Sequence, residues 1–190
     1  IIERLIETFI RTLEREITEV VYILGPDFSH QIKNDLITMS ARHKVKATFR
    51  VQDSALGTAH AVFCAKEDLE GEIIVAFADT LFDSKNSFNI EDADSVIWLK
   101  KVDDPSRFGV AVYEGERITG FIEKPKDFIS DLAIIGVYYF KNGEGLLTEL
   151  QRIMDEDIKG PGGEYFLTEA LDNMINNGKL FKTATVDEWL

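Results

Sequence analysis

A short segment at residues 123–125 places a carboxylate, an ammonium group and a proline directly after a strand-like run. The run from Ile118 ends at Glu123 and is followed by Lys124 and Pro125. Glu123 can accept hydrogen bonds from hydroxyl groups, and Lys124 can neutralise a phosphate. The pair therefore suits a ligand that carries both hydroxyls and a phosphate. A lysine at a strand end is more often a solvated surface charge, so both interpretations stay open at this point.

A second chemically suggestive residue is Asp79, which follows the apolar run from Ile73 to Ala78. An acid just past a buried strand can hold a divalent cation, and Mg²⁺ is usually bound by one or two carboxylates together with phosphate oxygens. The same position is also typical of a helix cap or a turn. Glu169 lies near the start of a predicted helix, where the helix dipole favours an acid without any function.

A glycine turn between a predicted strand and a predicted helix supplies further candidates. Gly57 allows the backbone to approach a ligand closely, and the helix that begins at Thr58 can face an anion. The Gln52 amide carries a donor and an acceptor and can recognise the imide edge of a pyrimidine. The structural alternative is a loop glycine with a capping threonine.

Composition limits the classes of partner. The chain has 190 residues and a net charge of −13, which argues against a nucleic acid as partner because phosphate backbones need a basic surface. It has one cysteine, Cys64, and its three histidines show no metal-ligand spacing. No apolar run has the length of a membrane span, so a cytoplasmic location without a membrane partner is expected. Because the chain begins at Ile1 without methionine and ends at Leu190, we expect it to be truncated at both ends.

These side chains need a scaffold that gathers them. Apolar spacing predicts helices over 2–17, 28–39, 58–66, 144–156 and 166–177. It predicts strands over 20–24, 46–51, 73–78, 95–102, 109–113, 118–123, 132–140 and 180–186. The alternation in the first eighty residues predicts an α/β fold with a mostly parallel sheet and helices on its faces. In such sheets ligands bind outside the carboxyl ends of the strands, which places Gln52, Gly57, Asp79 and Lys124 on one rim.

Six segments occur in the order found in one enzyme family. They are VQDSALGTAHAV, IIVAFADTLFD, VDDPSRFGVAVYEGERITGFIEKPK, SDLAIIGVYYF, GEYFLTEAL and VDEWL. Together they resemble the sugar-phosphate nucleotidyltransferases, or NDP-sugar pyrophosphorylases, especially the glucose-1-phosphate thymidylyltransferases. The resemblance implies one Rossmann-like catalytic domain over 1–190. It would comprise a nucleotide-binding part (1–94) and a sugar-phosphate-binding part (95–190) with a β-rich insertion.

The resemblance also implies roles for the candidate residues. The residues at the nucleotide would be Gln52, Gly57 and Thr58. The residues at the sugar phosphate would be Phe108, Gly109, Glu123, Lys124, Asp131 and Tyr138. Asp79 and Glu169 would bind Mg²⁺, with Asp79 and Lys124 acting in catalysis. A sugar 1-phosphate oxygen, already anionic, would attack the α-phosphorus of dTTP or UTP without a general base, and pyrophosphate would leave. Glucose 1-phosphate is the expected sugar substrate.

The chain departs from the family pattern at several positions. The family's first strand, its G-x-G-T-R loop and a following P-K pair are not among the 190 residues. We therefore expect this chain alone to be inactive, and we expect a homo-oligomer or a rearranged sheet to cover the gap left by that strand. Ala78, Asp131 and Glu169 stand where glycine, asparagine and aspartate are usual. The alternatives are a non-catalytic sugar-nucleotide-binding relative or regulatory subunit, and a plain α/β interaction domain.

Overall fold

The computed structural model describes residues 1–13, 15–85, 87–115 and 117–190, which form five α-helices and ten β-strands. The helices are α1 (Ile2–Thr12), α2 (His30–Arg42), α3 (Thr58–Phe63), α4 (Gly143–Asp155) and α5 (Leu167–Asn176). The first five strands are β1 (Glu19–Leu24), β2 (Lys46–Val51), β3 (Ile73–Ala76), β4 (Phe82–Asp83) and β5 (Ser95–Lys101). The others are β6 (Gly109–Glu114), β7 (Arg117–Glu123), β8 (Leu132–Phe140), β9 (Phe181–Thr185) and β10 (Glu188–Trp189).

Side-chain caps explain where two of the helices begin. The Ser29 hydroxyl accepts a hydrogen bond from the backbone N–H three residues on, at 3.3 Å, and so caps α2. The Asn142 amide oxygen does the same for α4 at 2.6 Å. Helix α1 is shorter than expected, because it ends at Thr12 instead of reaching Ile17.

Three sheets organise the strands. Six strands form one sheet in the order β3-β8-β5-β9-β7-β6, and β8 also pairs with β6 through Val110 and Ala133. Strands β1 and β2 form a parallel sheet of their own. Strands β4 and β10 form a small antiparallel pair in which Trp189 lies opposite Phe82. Strand β8 therefore occupies the interior of the large sheet and contacts three neighbours.

The mixed α/β class is confirmed, but the balance of strand directions differs from the expectation. The parallel pairs among the described strands are β1–β2 and β5–β9. Strand β3 joins the large sheet antiparallel to β8 and does not pair with β1 or β2. The expectation of a mostly parallel sheet was wrong because helix–strand alternation cannot show which strand lies beside β3.

Helices cover both faces of the large sheet, as expected. Alternate residues of β8 point into two different apolar clusters. Ile134, Tyr138 and Phe140 pack with α3, α4 and α5. Ile135 and Val137, with Tyr139, pack with α1 and with Trp98, on the other face. The expected arrangement of helices on both faces is therefore confirmed.

Helix α1 joins the large sheet to the β1–β2 sheet. Its residues Leu5 and Phe9 lie in the cluster on the large sheet, whereas Ile6 lies in a separate cluster with β1 and α2. Among the described strands, β1 pairs with β2 alone and β3 with β8 alone, so each keeps an edge that no described strand covers. In the part of the chain that the structure describes, no helix has the length and apolar character needed to cross a membrane.

Candidate active site

The Glu123-Lys124 segment turns sharply where β7 ends. Lys124 has a φ of 43°, in the left-handed region that side chains other than glycine rarely adopt. Its backbone N–H donates to the Phe108 carbonyl at 3.1 Å, which ties the turn to the start of β6. Pro125 is buried behind it, while the Lys124 side chain is exposed. The ammonium group is therefore presented to solvent from a fixed backbone.

Glu123 is half-buried beside a glycine. It lies opposite Gly109 in the β6–β7 pair, and a Cβ at Gly109 would come within 2.9 Å of the Glu123 Oε2 atom. Glycine therefore leaves the space that the carboxylate occupies. Burial raises the pKa of Glu123, and the adjacent Lys124 charge opposes that rise. Burial also raises the pKa of Tyr138, and the Glu123 charge adds to that rise.

One aromatic contact connects Tyr138 to the segment that carries Asp79. The rings of Phe77 and Tyr138 meet edge to face at 6.1 Å between centroids. Phe77 N–H donates to the Gly136 carbonyl at 3.0 Å, and the Thr80 hydroxyl donates to the Ile135 carbonyl, so the turn that carries Asp79 is anchored on β8. Asp79 itself is exposed. The structure thus brings Asp79 to the same end of the sheet as Glu123.

A second connection runs through Trp189. Trp189 pairs with Phe82 in the β4–β10 ladder. Phe82 follows Asp79 by three residues. The Trp189 ring also meets the Phe108 ring at 5.0 Å between centroids. Neither strand of this ladder was predicted from the sequence, because two-residue strands carry no periodicity. The one available signal was the VDEWL segment.

Asp131 precedes β8 and is paired with a lysine. Its carboxylate accepts a hydrogen bond from Lys101 Nζ at 2.8 Å, and this contact raises the pKa of Lys101. The Asp131 carbonyl accepts from Val102 N–H at 2.9 Å. The negative charge that replaces the usual asparagine is therefore compensated locally.

The predicted nucleotide-binding residues contact each other at one point and otherwise contact neighbouring residues of the chain. The Gln52 amide nitrogen lies 3.1 Å from His60 Nδ1 and 3.4 Å from the Gly57 carbonyl. Gly57 has a φ of 110°, and its backbone lies against that of Tyr165. The Thr58 hydroxyl accepts a hydrogen bond from Leu167 N–H at 2.9 Å, so it caps α5. The sequence alternative, a threonine capping the helix that follows Gly57, was wrong, because α3 has no side-chain cap and the hydroxyl instead serves the first N–H of α5.

The two carboxylates proposed for Mg²⁺ lie on different elements. Asp79 follows β3, whereas Glu169 lies in the first turn of α5, a helix that packs against β7, α3 and α4. Within the described residues, neither carboxylate has an ion-pair or hydrogen-bond partner, so their oxygens are available to a cation. Mg²⁺ prefers such oxygen ligands, and the donor type therefore fits. Their joint use at one ion stays a prediction.

Comparison with known proteins gives the family. The model of the nucleotidyl transferase family matches residues 2–190. The chain belongs to this family. It is 28% identical over 183 residues to the low-salt glycan biosynthesis nucleotidyltransferase Agl11 of Haloferax volcanii, covering 93% of this chain and 49% of that protein. It is 29% identical over 189 residues to the bifunctional protein GlmU of Methanococcus maripaludis, covering 97% of this chain and 43% of that protein.

A solved structure supports the fold assignment. The chain is similar to a UDP-glucose pyrophosphorylase complexed with UDP-glucose, with a TM-score of 0.75 and 19% identity, over 99% of this chain and 79% of the other. At that identity the likeness shows the shared fold. This chain spans about half the length of the two curated relatives above.

Proposed function

We propose that the protein transfers a nucleotidyl group from a nucleoside triphosphate to a sugar 1-phosphate. A phosphate oxygen of the sugar 1-phosphate forms a bond to the α-phosphorus, and the bond from that phosphorus to the β-phosphate oxygen breaks. The products are an NDP-sugar and pyrophosphate. The observation that carries the proposal is the Glu123-Lys124 pair beside Gly109, connected to Asp79 through Phe77 and Tyr138.

The roles of the residues at the sugar phosphate follow from their charges and from how exposed they are. The exposed Lys124 ammonium binds the phosphate, and the half-buried Glu123 carboxylate accepts hydrogen bonds from sugar hydroxyls. Phe108, Gly109 and Tyr138 form the surroundings of the sugar. Asp131 lies near the phosphate with its charge offset by Lys101. Because the attacking phosphate oxygen is already anionic, the residues act by positioning and by neutralising charge.

Asp79, with Glu169 as a second ligand, would hold Mg²⁺. Bound there, the ion would neutralise phosphate charge as it builds up during displacement. On the nucleotide side, Gln52 would have to exchange its contact with His60 for the base, and Gly57 would allow the base to approach. The substrates we propose are dTTP or UTP with glucose 1-phosphate.

The alternative is a relative that binds sugar nucleotides without turning them over, or a regulatory subunit. The observation that favours it is the set Ala78, Asp131 and Glu169, each of which differs from the family's usual residue. The ion pair of Asp131 with Lys101 weakens that argument at one of the three positions.

Binding of the sugar 1-phosphate tests the proposed site directly. We expect calorimetric titration of the chain with glucose 1-phosphate to show binding that K124A weakens by roughly 10- to 100-fold, since a hydrogen bond to a charged group contributes about 1.5–3 kcal/mol. K124G suits the left-handed backbone and should show the same loss of affinity. That result would show that the loss comes from the missing charge and not from a change of backbone conformation. K126A removes a second exposed lysine two residues away and serves as the matched control.

Turnover separates the enzyme from its alternative. Pyrophosphate release by the native polypeptide is measured with Mg²⁺ over a matrix of nucleoside triphosphates and sugar 1-phosphates. Release with one pair, abolished in D79N, supports the transferase and names its substrates. Binding without release by folded protein that carries the family's G-x-G-T-R loop supports the non-catalytic relative, since the 190 residues alone are expected to be inactive in either case. Equal binding by K124A and wild type contradicts the proposed site.

A further inference from the structure

A cluster of one histidine and two glutamates lies outside the proposed active site. Glu3 and Glu7 lie on α1, and His43 follows the last residue of α2. Their ligand atoms all lie within 4.8 Å of one another. Within the described residues this is the one group of three or more potential metal ligands at such distances. The separation of these residues along the chain hides the cluster from sequence spacing.

One distance in this cluster matches that between neighbouring ligands of a tetrahedral ion, and a second is longer. His43 Nε2 lies 3.3 Å from Glu3 Oε1 and 3.9 Å from Glu7 Oε1. Bond lengths of about 2.0–2.2 Å around tetrahedral zinc place neighbouring ligand atoms roughly 3.3–3.5 Å apart. Glu7 is exposed, so a small rotation of its side chain closes the longer distance.

The backbone holds the three ligands in position. Glu3 and Glu7 are four residues apart in one helix and so lie on the same face. His43 directly follows α2, and the next residue, Lys44, has a left-handed φ of 59° that turns the chain into β2. The imidazole, with an exposed fraction of 18%, is the least exposed of the three side chains. The ligands therefore do not depend on a flexible loop.

Charge and ligand type favour a zinc-like ion. Two carboxylates of the same sign on one helix face repel each other, and a divalent cation between them removes that repulsion. An imidazole nitrogen suits Zn²⁺, whereas Mg²⁺ prefers oxygen ligands alone. Arg42 competes for part of the site, because its guanidinium lies 3.0 Å from the same Glu3 oxygen. Arg42 is largely exposed and can move away when an ion binds.

We propose that Glu3, Glu7 and His43 form a surface site for Zn²⁺ that clamps α1 to α2, with water completing the coordination. The clamp joins the helix that packs on the large sheet to the helix that packs on the β1–β2 sheet. An ion that binds the folded state alone stabilises it by an amount that grows with the logarithm of the ion's concentration above its Kd. The site thus gives the protein a metal-dependent link between the large sheet and the β1–β2 sheet.

The experiment is calorimetric titration of the metal-free chain with Zn²⁺, together with its thermal midpoint at increasing zinc concentration. We expect one ion per chain at this site and a midpoint that rises with zinc. H43A and E7Q should each weaken binding by more than about tenfold and remove the rise. H30A removes an exposed histidine from the start of α2 and should change neither quantity.

Two results would overturn the proposal. One is the absence of stoichiometric zinc binding by wild type, in which case the three groups form ion pairs only. The other is zinc binding that persists in H43A and E7Q but is lost in D79N, which would assign the ion to the proposed active site. E7Q changes an exposed side chain, so it tests the proposal even if H43A fails to fold.

Discussion

At the scale of single residues, two charged side chains of the candidate site are held in energetically unfavourable states. Lys124 keeps a left-handed backbone that costs a side-chain-bearing residue roughly 1–2 kcal/mol, and Glu123 keeps a half-buried carboxylate. Features of this kind concentrate where function outweighs stability. The sequence indicated both residues, because each stands at the end of a predicted strand. It could not indicate that the charge of Glu123 acts on Tyr138, which depends on the pairing of β8.

Asp172 affects the stability of the protein in a way that depends on pH. Burial raises its pKa to about 6, the Phe121 N–H that it accepts at 2.8 Å opposes the rise, and the Glu169 charge adds to it. Between about pH 4 and pH 6 the folded state therefore holds a proton that the unfolded state has released. It follows that this group lowers the free energy of unfolding as the pH rises through that window, and the loss persists at neutral pH.

We predict that D172N raises the free energy of unfolding at pH 7 by about 1 kcal/mol, a value reduced for the partial exposure of the carboxyl group. Asparagine can still accept the Phe121 hydrogen bond without a charge. Urea denaturation from pH 4 to pH 7 should show a smaller fall in stability with pH than in wild type. D172A is the contrasting variant, since it leaves the N–H without its acceptor and should cost about 1–3 kcal/mol. A destabilised D172N at pH 7 would contradict the argument.

At the scale of elements, Gly57 controls how α3 meets the segment before α5. Its φ of 110° and ψ of 177° belong to a region that is essentially restricted to glycine. A Cβ there would lie 2.5 Å from the Tyr165 carbonyl oxygen and 2.7 Å from its nitrogen. Two hydrogen bonds depend on this approach: Ala59 N–H to the Tyr165 carbonyl at 2.9 Å, and Tyr165 N–H to the Leu56 carbonyl at 2.8 Å.

We predict that G57A lowers the free energy of unfolding by at least about 3 kcal/mol, because backbone strain and a clash with main-chain atoms add together. G115A is the matched control: Gly115 also has a positive φ, of 63°, but no described heavy atom lies within 4 Å of the position that a methyl group would take there. It should cost about 1 kcal/mol from strain alone. Guanidinium denaturation of both variants measures the difference. Equal losses would show that the approach of Tyr165 is not limiting.

The elements also show what sequence patterns can and cannot predict. Lys46–Val51 and Leu132–Phe140 were predicted with their observed bounds, because side-chain periodicity and flanking breakers define a strand locally. The direction of β3 was not, since its partner β8 lies about sixty residues away. Phe82–Asp83 and Glu188–Trp189 were missed because each is too short to show a period. As a result, the contact between Trp189 and Phe108 at the candidate site was also missed.

At the scale of the whole molecule, the two larger sheets differ in how they are held. The large sheet lies between two extensive apolar clusters. The β1–β2 sheet packs in a smaller cluster of five buried residues, namely Ile6, Tyr22, Leu24, Leu36 and Met39. Local opening requires less free energy where fewer apolar contacts must be lost. The β1–β2 sheet should therefore open before the large sheet does, and Ile6 of α1 is the main link between α1 and it.

We predict that I6A selectively weakens this link. The truncation should cost about 2–5 kcal/mol and should speed amide exchange in β1 and β2 far more than in β5 and β8. F9A is the matched variant on the same helix, since Phe9 packs against Trp98 of the large sheet and against Phe82 of the β4–β10 ladder. It should increase exchange in β5 and β8 as well. If I6A accelerated exchange equally in both sheets, they would unfold as one cooperative unit, and α1 would not be a boundary between them.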